Sequence, residues 1–216
     1  MTTPNRFLLA IIAFIGWFAL VTQFCLTLTN QLSDLSEGER VLRFFSYFTA
    51  LTNLLVAIAS TSLGFFPATR AGRFFSSASA QAAVATYISI VAIIYSLFLR
   101  GSWDPLSLHG LNDTLFHDII PIAYVLQWIL FSPKNGLRLF DPIIWLVYPV
   151  AYISYTLIHG AATNWYPYWF ADVSKLGYPV ALRNTGFVLI AFVTVGFVFL
   201  TFSKLLARRS RWGVYR

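Results

Sequence analysis

Charge is scarce in this chain, and with it most of what marks a soluble enzyme. Only 11% of the 216 residues are charged, which excludes the polar shell that an ordinary soluble domain of this size carries. The single cysteine, Cys25, excludes an intramolecular disulfide. No carboxylate and histidine cluster has metal-ligand spacing, and no glycine-rich phosphate loop is present, so neither a metal nor another cofactor is expected. Nor is there a low-complexity tract, a soluble extension or an internal repeat of the kind that marks many transporters.

What the chain has is apolar length. Hydrophobic residues make up 58% and aromatics 18%, with a mean hydropathy of +0.69. Six runs are long and uncharged enough to cross a bilayer: Phe7 to Thr27, Phe44 to Phe65, Ala80 to Leu99, Thr114 to Phe131, Pro142 to His159 and Asn184 to Ser203. In lipid such runs must be helices, because a backbone amide without a partner there costs several kcal/mol. The first run is too long for a signal-peptide core and lacks a small-x-small cleavage site, so it reads as an uncleaved helix. The expectation is an all-α integral membrane protein, a six-transmembrane helix bundle forming a single membrane domain over residues 1–216.

Basic residues set the orientation. Arg6, Arg70, Arg73, Lys134, Arg138, Lys204, Arg208, Arg209, Arg211 and Arg216 fall on one side. Arg40, Arg43, Arg100, Lys175 and Arg183 fall on the other. The positive-inside rule then places both termini in the cytoplasm. The formal charge of +7 reads mainly as attraction of the tail around Arg208, Arg209 and Arg211 to anionic headgroups, with no nucleic-acid partner implied. The longest loop, Gly160 to Arg183, is rich in aromatics that favour the headgroup level.

Ionisable groups at membrane depth are functional-site candidates. His117 with Asp118, His159, and the polar set Ser46, Thr49, Thr52 and Asn53 all fall near the outer ends of their spans. Thr49 lies six residues past Arg43, roughly 9 Å along a helix. Ser46, Thr49 and Asn53 share one helical face, as do Tyr148, Tyr152, Tyr155 and His159. His117, Pro121, Tyr124 and Gln127 follow one another at three- and four-residue steps, and the proline loosens the carbonyls before it. Structural readings stand beside these. A membrane threonine commonly bonds its own i−4 carbonyl, an interfacial histidine bonds headgroups or water, and a tyrosine row packs helices.

Ser46-Tyr47-Phe48-Thr49, then Leu111-Asn112 with His117 and Pro121, then His159 followed by Trp165-Tyr166-Pro167, resemble the androgen-induced gene family. That family comprises multi-span membrane hydrolases, including the androgen-dependent TFPI-regulating protein, and has bacterial relatives of similar layout. The resemblance implies hydrolysis of fatty-acid esters of hydroxy fatty acids in a cell membrane, a lipid substrate, and no cofactor. It places the nucleophile on Thr49, with Thr52 as an alternate, and the base on His117. Asn53, Asn112 and His159 become candidate oxyanion or supporting donors. Where the family pattern has a second histidine, this chain has Asp113, and its main histidine sits one residue later relative to Asn112 and Pro121. Two other classes fit the same residues: a haem held between His117 and His159, and a proton or solute path through Asp118.

Overall fold

The computed structural model describes residues 5–29, 34–101, 104 and 106–212, with side chains described as far as Ala207. The basic tail residues Arg208, Arg209, Arg211 and Arg216 therefore lie outside the described side chains. Among the described residues the chain is helical throughout, without strands. Six helices are long and apolar enough to cross a membrane: Arg6–Leu28, Phe48–Phe65, Ala78–Leu99, Leu108–Phe131, Asp141–Thr163 and Val173–Ala207. They are consistent with a multi-pass membrane protein.

In chain order the elements are α1 (Arg6–Leu28), α2 (Glu37–Ser46), α3 (Phe48–Phe65), α4 (Arg70–Phe75), α5 (Ala78–Ile94), α6 (Leu108–Thr114), α7 (Ile120–Phe131), α8 (Asp141–Ile144), α9 (Val147–Thr163) and α10 (Val173–Trp212). Helices α1 and α3 come close because small residues line their seam. A Cβ on Gly16 would sit 3.2 Å from the Ala57 Cβ, and one on Gly64 would sit 3.4 Å from that of Leu9. Close backbone approach of this kind replaces the hydrophobic drive that helices lack in lipid.

Several boundaries differ from the sequence reading; the fourth span starts at Leu108 rather than Thr114, and the sixth runs on to Ala207 rather than Ser203. The second span starts at Phe48 rather than Phe44, because Tyr47 is extended (φ −83°, ψ 126°) and breaks the chain into α2 and α3. Helix α2 is a separate element with its own capping box between Ser36 and Glu39, held to α1 by ring contacts of Phe24 with Phe44 and with Phe45. Ser46 therefore does not continue the face of Thr49 and Asn53. The aromatic loop is also shorter than expected, because α9 runs on to Thr163 and α10 begins at Val173. Helix α9 stops at Asn164, whose left-handed backbone (φ 53°) reverses the chain. In α10 the non-helical Gly177 (φ 73°) and Pro179 make a kink near the start.

The fourth span has a change of pitch at its centre. Between α6 and α7, Leu115–Ile119 form a π-helical turn, a feature enriched at functional sites. Pro121 provides a physical reason. It has no N–H to return to the carbonyls four and five residues earlier, and the Phe116 carbonyl accepts instead from Asn53 Nδ2 of α3 at 3.3 Å.

Loop 164–172 folds back over the end of the bundle and is seated by Gly160. A Cβ there would lie 2.0 Å from Tyr166 Cε1. Gly160→Ala is expected to expel the Tyr166 ring and cost about 1–3 kcal/mol as an overpacked contact. A lowered unfolding midpoint of the detergent-solubilised protein checks this, and an unchanged midpoint contradicts it.

Candidate functional site

A chamber of about 630 Å³ opens where α1, α2 and α3, the last turn of the third span, the first turns of the fourth and loop 164–172 converge. Thr49, His117, Asp113, Tyr95, Tyr168 and Arg43 are among its lining residues. Thr49 also lines a second, narrow cavity of about 60 Å³, walled by apolar residues such as Phe48, Ile94, Ile153, Leu157 and Phe192. Among the described residues, Thr49, Leu99 and Tyr168 border both spaces. A hydroxyl at the junction of a polar space and an apolar one is suited to a molecule with both characters.

Breaking the chain at Tyr47 places Thr49 in the first turn of α3. The first N–H groups of a helix have no intrahelical acceptor and carry the positive end of its dipole. Tyr47, as N-cap, provides no side-chain acceptor. The Thr49 N–H instead meets the Tyr168 hydroxyl at 3.4 Å, a long contact, and the same hydroxyl interacts with the Thr49 side chain. Burial pushes the Tyr168 phenol above its ordinary range, with the Thr49 contacts drawing it partly back. It is therefore a neutral O–H at physiological pH. Tyr168 is held by stacking on Phe170, with 5.3 Å between centroids and 6° between planes, and by an edge contact with Tyr47.

His117 is fixed by three contacts. Its ring stacks on Tyr95 with centroids 3.6 Å apart and planes 9° apart. Its Nδ1 donates to the Asp113 backbone carbonyl at 2.9 Å and lies 3.3 Å from Asp113 Oδ1. A carbonyl only accepts, so Nδ1 carries the proton and Nε2 keeps the lone pair. The other carboxylate oxygen, Oδ2, accepts from the Tyr95 hydroxyl. The set of tyrosine, carboxylate and imidazole sets the tautomer that a general base needs. No hydrogen bond joins His117 to Thr49; the two share the chamber wall.

The remaining sequence candidates are brought to other places. Thr52 is fully buried against the Tyr148 hydroxyl, 3.2 Å away, and borders neither cavity. Asn53 gives its amide nitrogen to the Thr49 carbonyl (3.0 Å) and the Phe116 carbonyl (3.3 Å), tying α3 to the π-helical turn. Asn112 bonds Thr22 and Gln23 of α1. His159 sits between Tyr155 and Trp165, away from the chamber lining, with its Nε2 buried and unpartnered. His117 lines the chamber, whereas His159 lines neither the chamber nor the apolar cavity. Asp118 is clamped by Arg100 at 2.7 and 3.3 Å. The tyrosine row of α9 does line one face, and its hydroxyls are used across helices: Tyr152 donates to the Ser46 carbonyl and Tyr155 meets the Ser46 hydroxyl.

Comparison of the chain with protein-family models, with curated proteins and with solved structures found no match. Asp113, Tyr95, Tyr168 and His109 enter the site without having been candidates. Asp113 was visible as the residue four before His117, one helical turn away. Tyr168 had no periodic signal, because it arrives through a loop that doubles back.

Proposed function

We propose that this protein is an integral membrane lipid-ester hydrolase, with both termini in the cytoplasm of a bacterial-type cell membrane. Its substrate would be an ester of the kind that the resemblance to the androgen-induced gene family implies, a fatty acid joined to a hydroxy fatty acid. The observation that carries the reading is the position of Thr49. It is a first-turn hydroxyl between a polar chamber holding an oriented histidine and a separate apolar cavity.

Thr49 Oγ attacks the ester carbonyl carbon, and its proton passes to Nε2 of His117, directly as the side chain turns into the chamber or through one water. The carbonyl oxygen, now an oxyanion, lies at the N-terminus of α3, where the Thr49 N–H exchanges its long contact with Tyr168 for the oxyanion and the Tyr168 O–H donates to it as well. One such donor is worth about 2.7–4 kcal/mol in a known hydrolase. Collapse of the adduct breaks the ester C–O bond. The leaving alkoxide takes the proton from His117, and the acyl group remains on Thr49. Water then attacks the acyl-threonine with His117 again as base, releasing the acid. Asp113 holds the imidazole and stabilises its charged form during each transfer.

The apolar cavity next to Thr49 favours a long acyl chain over a short one. The purified protein in phosphatidylcholine nanodiscs is expected to cleave p-nitrophenyl palmitate with a kcat/KM at least tenfold above that for the acetate. Equal rates on both, or none above buffer, contradict the proposal.

A further inference from the structure

The chemistry above uses Thr49, Asp113, His117 and Tyr168 and leaves the two arginines of the same lining without a role. Arg40 and Arg43 stand three residues apart on α2, so they share a face, and both are half-buried at the chamber. Each is anchored. Arg40 Nη1 donates to the Leu28 carbonyl at 2.7 Å, and the Arg43 guanidinium lies over the Trp165 ring, 4.7 Å from its centroid. Stacking uses the face of a guanidinium and leaves its N–H edge for an acceptor in the same plane.

The charges of the lining do not balance. Among the described residues of the lining, two guanidiniums stand against one carboxylate, Asp113, whose oxygens are engaged by Tyr95 and His117; Glu39, which acts on Arg43 along α2, lies outside that lining. An anionic guest that accepts from fixed guanidiniums in a partly desolvated space relieves that excess. The place suits a lipid head, because α2 borders the start of a membrane span and Thr49 joins the chamber to the apolar cavity.

We infer that Arg43, with Arg40 on the same face, forms a binding site for the anionic head of a lipid, a carboxylate or a phosphate monoester. A lipid held there has its charged end at α2 and extends past Thr49, which fixes the end from which an ester is presented. The inference deepens the hydrolase reading, but head binding requires no turnover. It is therefore tested on Thr49→Ala protein, where a failure of hydrolysis leaves the result intact.

The experiment measures equilibrium binding of radiolabelled oleate to Thr49→Ala protein in phosphatidylcholine nanodiscs, with oleyl alcohol and lysophosphatidate as competitors. Adding Arg43→Gln is expected to weaken oleate binding about tenfold or more, the scale of a hydrogen bond to a charged group. Adding Arg43→Lys instead restores part of it, and unchanged unfolding midpoints show that the variants fold. Oleyl alcohol competes poorly in every case. Displacement of oleate by lysophosphatidate at lower concentration than by unlabelled oleate assigns the site to phosphate heads; the reverse order assigns it to carboxylates. Oleate affinity unaffected by Arg43→Gln, equal competition by oleyl alcohol, or no saturable oleate binding overturns the inference. Arg43-dependent binding combined with no esterase activity in the wild-type protein would sink the hydrolase reading alone.

Discussion

Thr49→Ala is expected to lower kcat/KM for a long-chain ester by on the order of 10⁴-fold or more, the scale seen when a hydrolase loses its nucleophile, while Thr52→Ala stays within about tenfold of wild type. The two threonines are three residues apart and chemically identical, so the contrast isolates placement. Thr49 borders the chamber and the apolar cavity. Thr52 is sealed against Tyr148 with no exposed surface. Its loss removes a buried hydrogen bond worth about 1 kcal/mol and leaves the reacting atoms in place. Both variants must retain the wild-type unfolding midpoint to within a few degrees for the comparison to count. The opposite pattern, with Thr52→Ala inactive and Thr49→Ala active, would overturn the assignment.

Loss of the base has the second largest effect. His117→Ala is expected to reduce turnover by about 10²–10⁴-fold, the ordinary contribution of a positioned general base. Asp113→Asn should fall in the same range, although Asp113 touches no reacting atom. The change removes the negative charge that supports the imidazolium, while the backbone carbonyl of residue 113 still holds the Nδ1 proton. Because the two residues act through one proton transfer, the double variant should be little worse than His117→Ala alone. Multiplicative losses would show that Asp113 has a separate role. Kinetics of the three proteins on one chromogenic ester measure this directly.

The six spans were legible because lipid leaves a chain few options: an apolar run of that length has to be a helix. The break at Tyr47 was not, because Phe44 to Phe65 is uninterrupted in hydropathy, and the interruption comes from tertiary contacts. Tyr152 takes the Ser46 carbonyl and Tyr155 takes the Ser46 hydroxyl, so α9 holds the junction that separates α2 from α3. That break puts Thr49 at a helix start, a fact with more chemical consequence than the depth inferred from counting residues past Arg43.

For the site, the shared membrane level of Thr49 and His117 follows from the sequence, and the chamber brings both into one lining. The same reasoning grouped His159 with them. Being close in depth does not set direction around the bundle axis, and His159 turns toward Tyr155 and Trp165 instead. Asn53 and Asn112 illustrate the same limit. Each has the donors that an oxyanion requires, and each spends them elsewhere, Asn53 on carbonyls of its own helix and of the π-helical turn and Asn112 on Gln23 of α1. The residue that does reach Thr49, Tyr168, lies more than a hundred positions away on a reversing loop, whose path depends on Asn164 and on the absence of a side chain at Gly160.

The central claim, that Thr49 is the nucleophile, is tested most directly by locating a covalent adduct. Wild-type protein treated with a long-chain fluorophosphonate, digested and sequenced by mass spectrometry, should carry the phosphonyl group on Thr49, with labelling slowed strongly in His117→Ala and lost in Thr49→Ala. An adduct on any other residue, or labelling of Thr49→Ala at the wild-type rate, contradicts it.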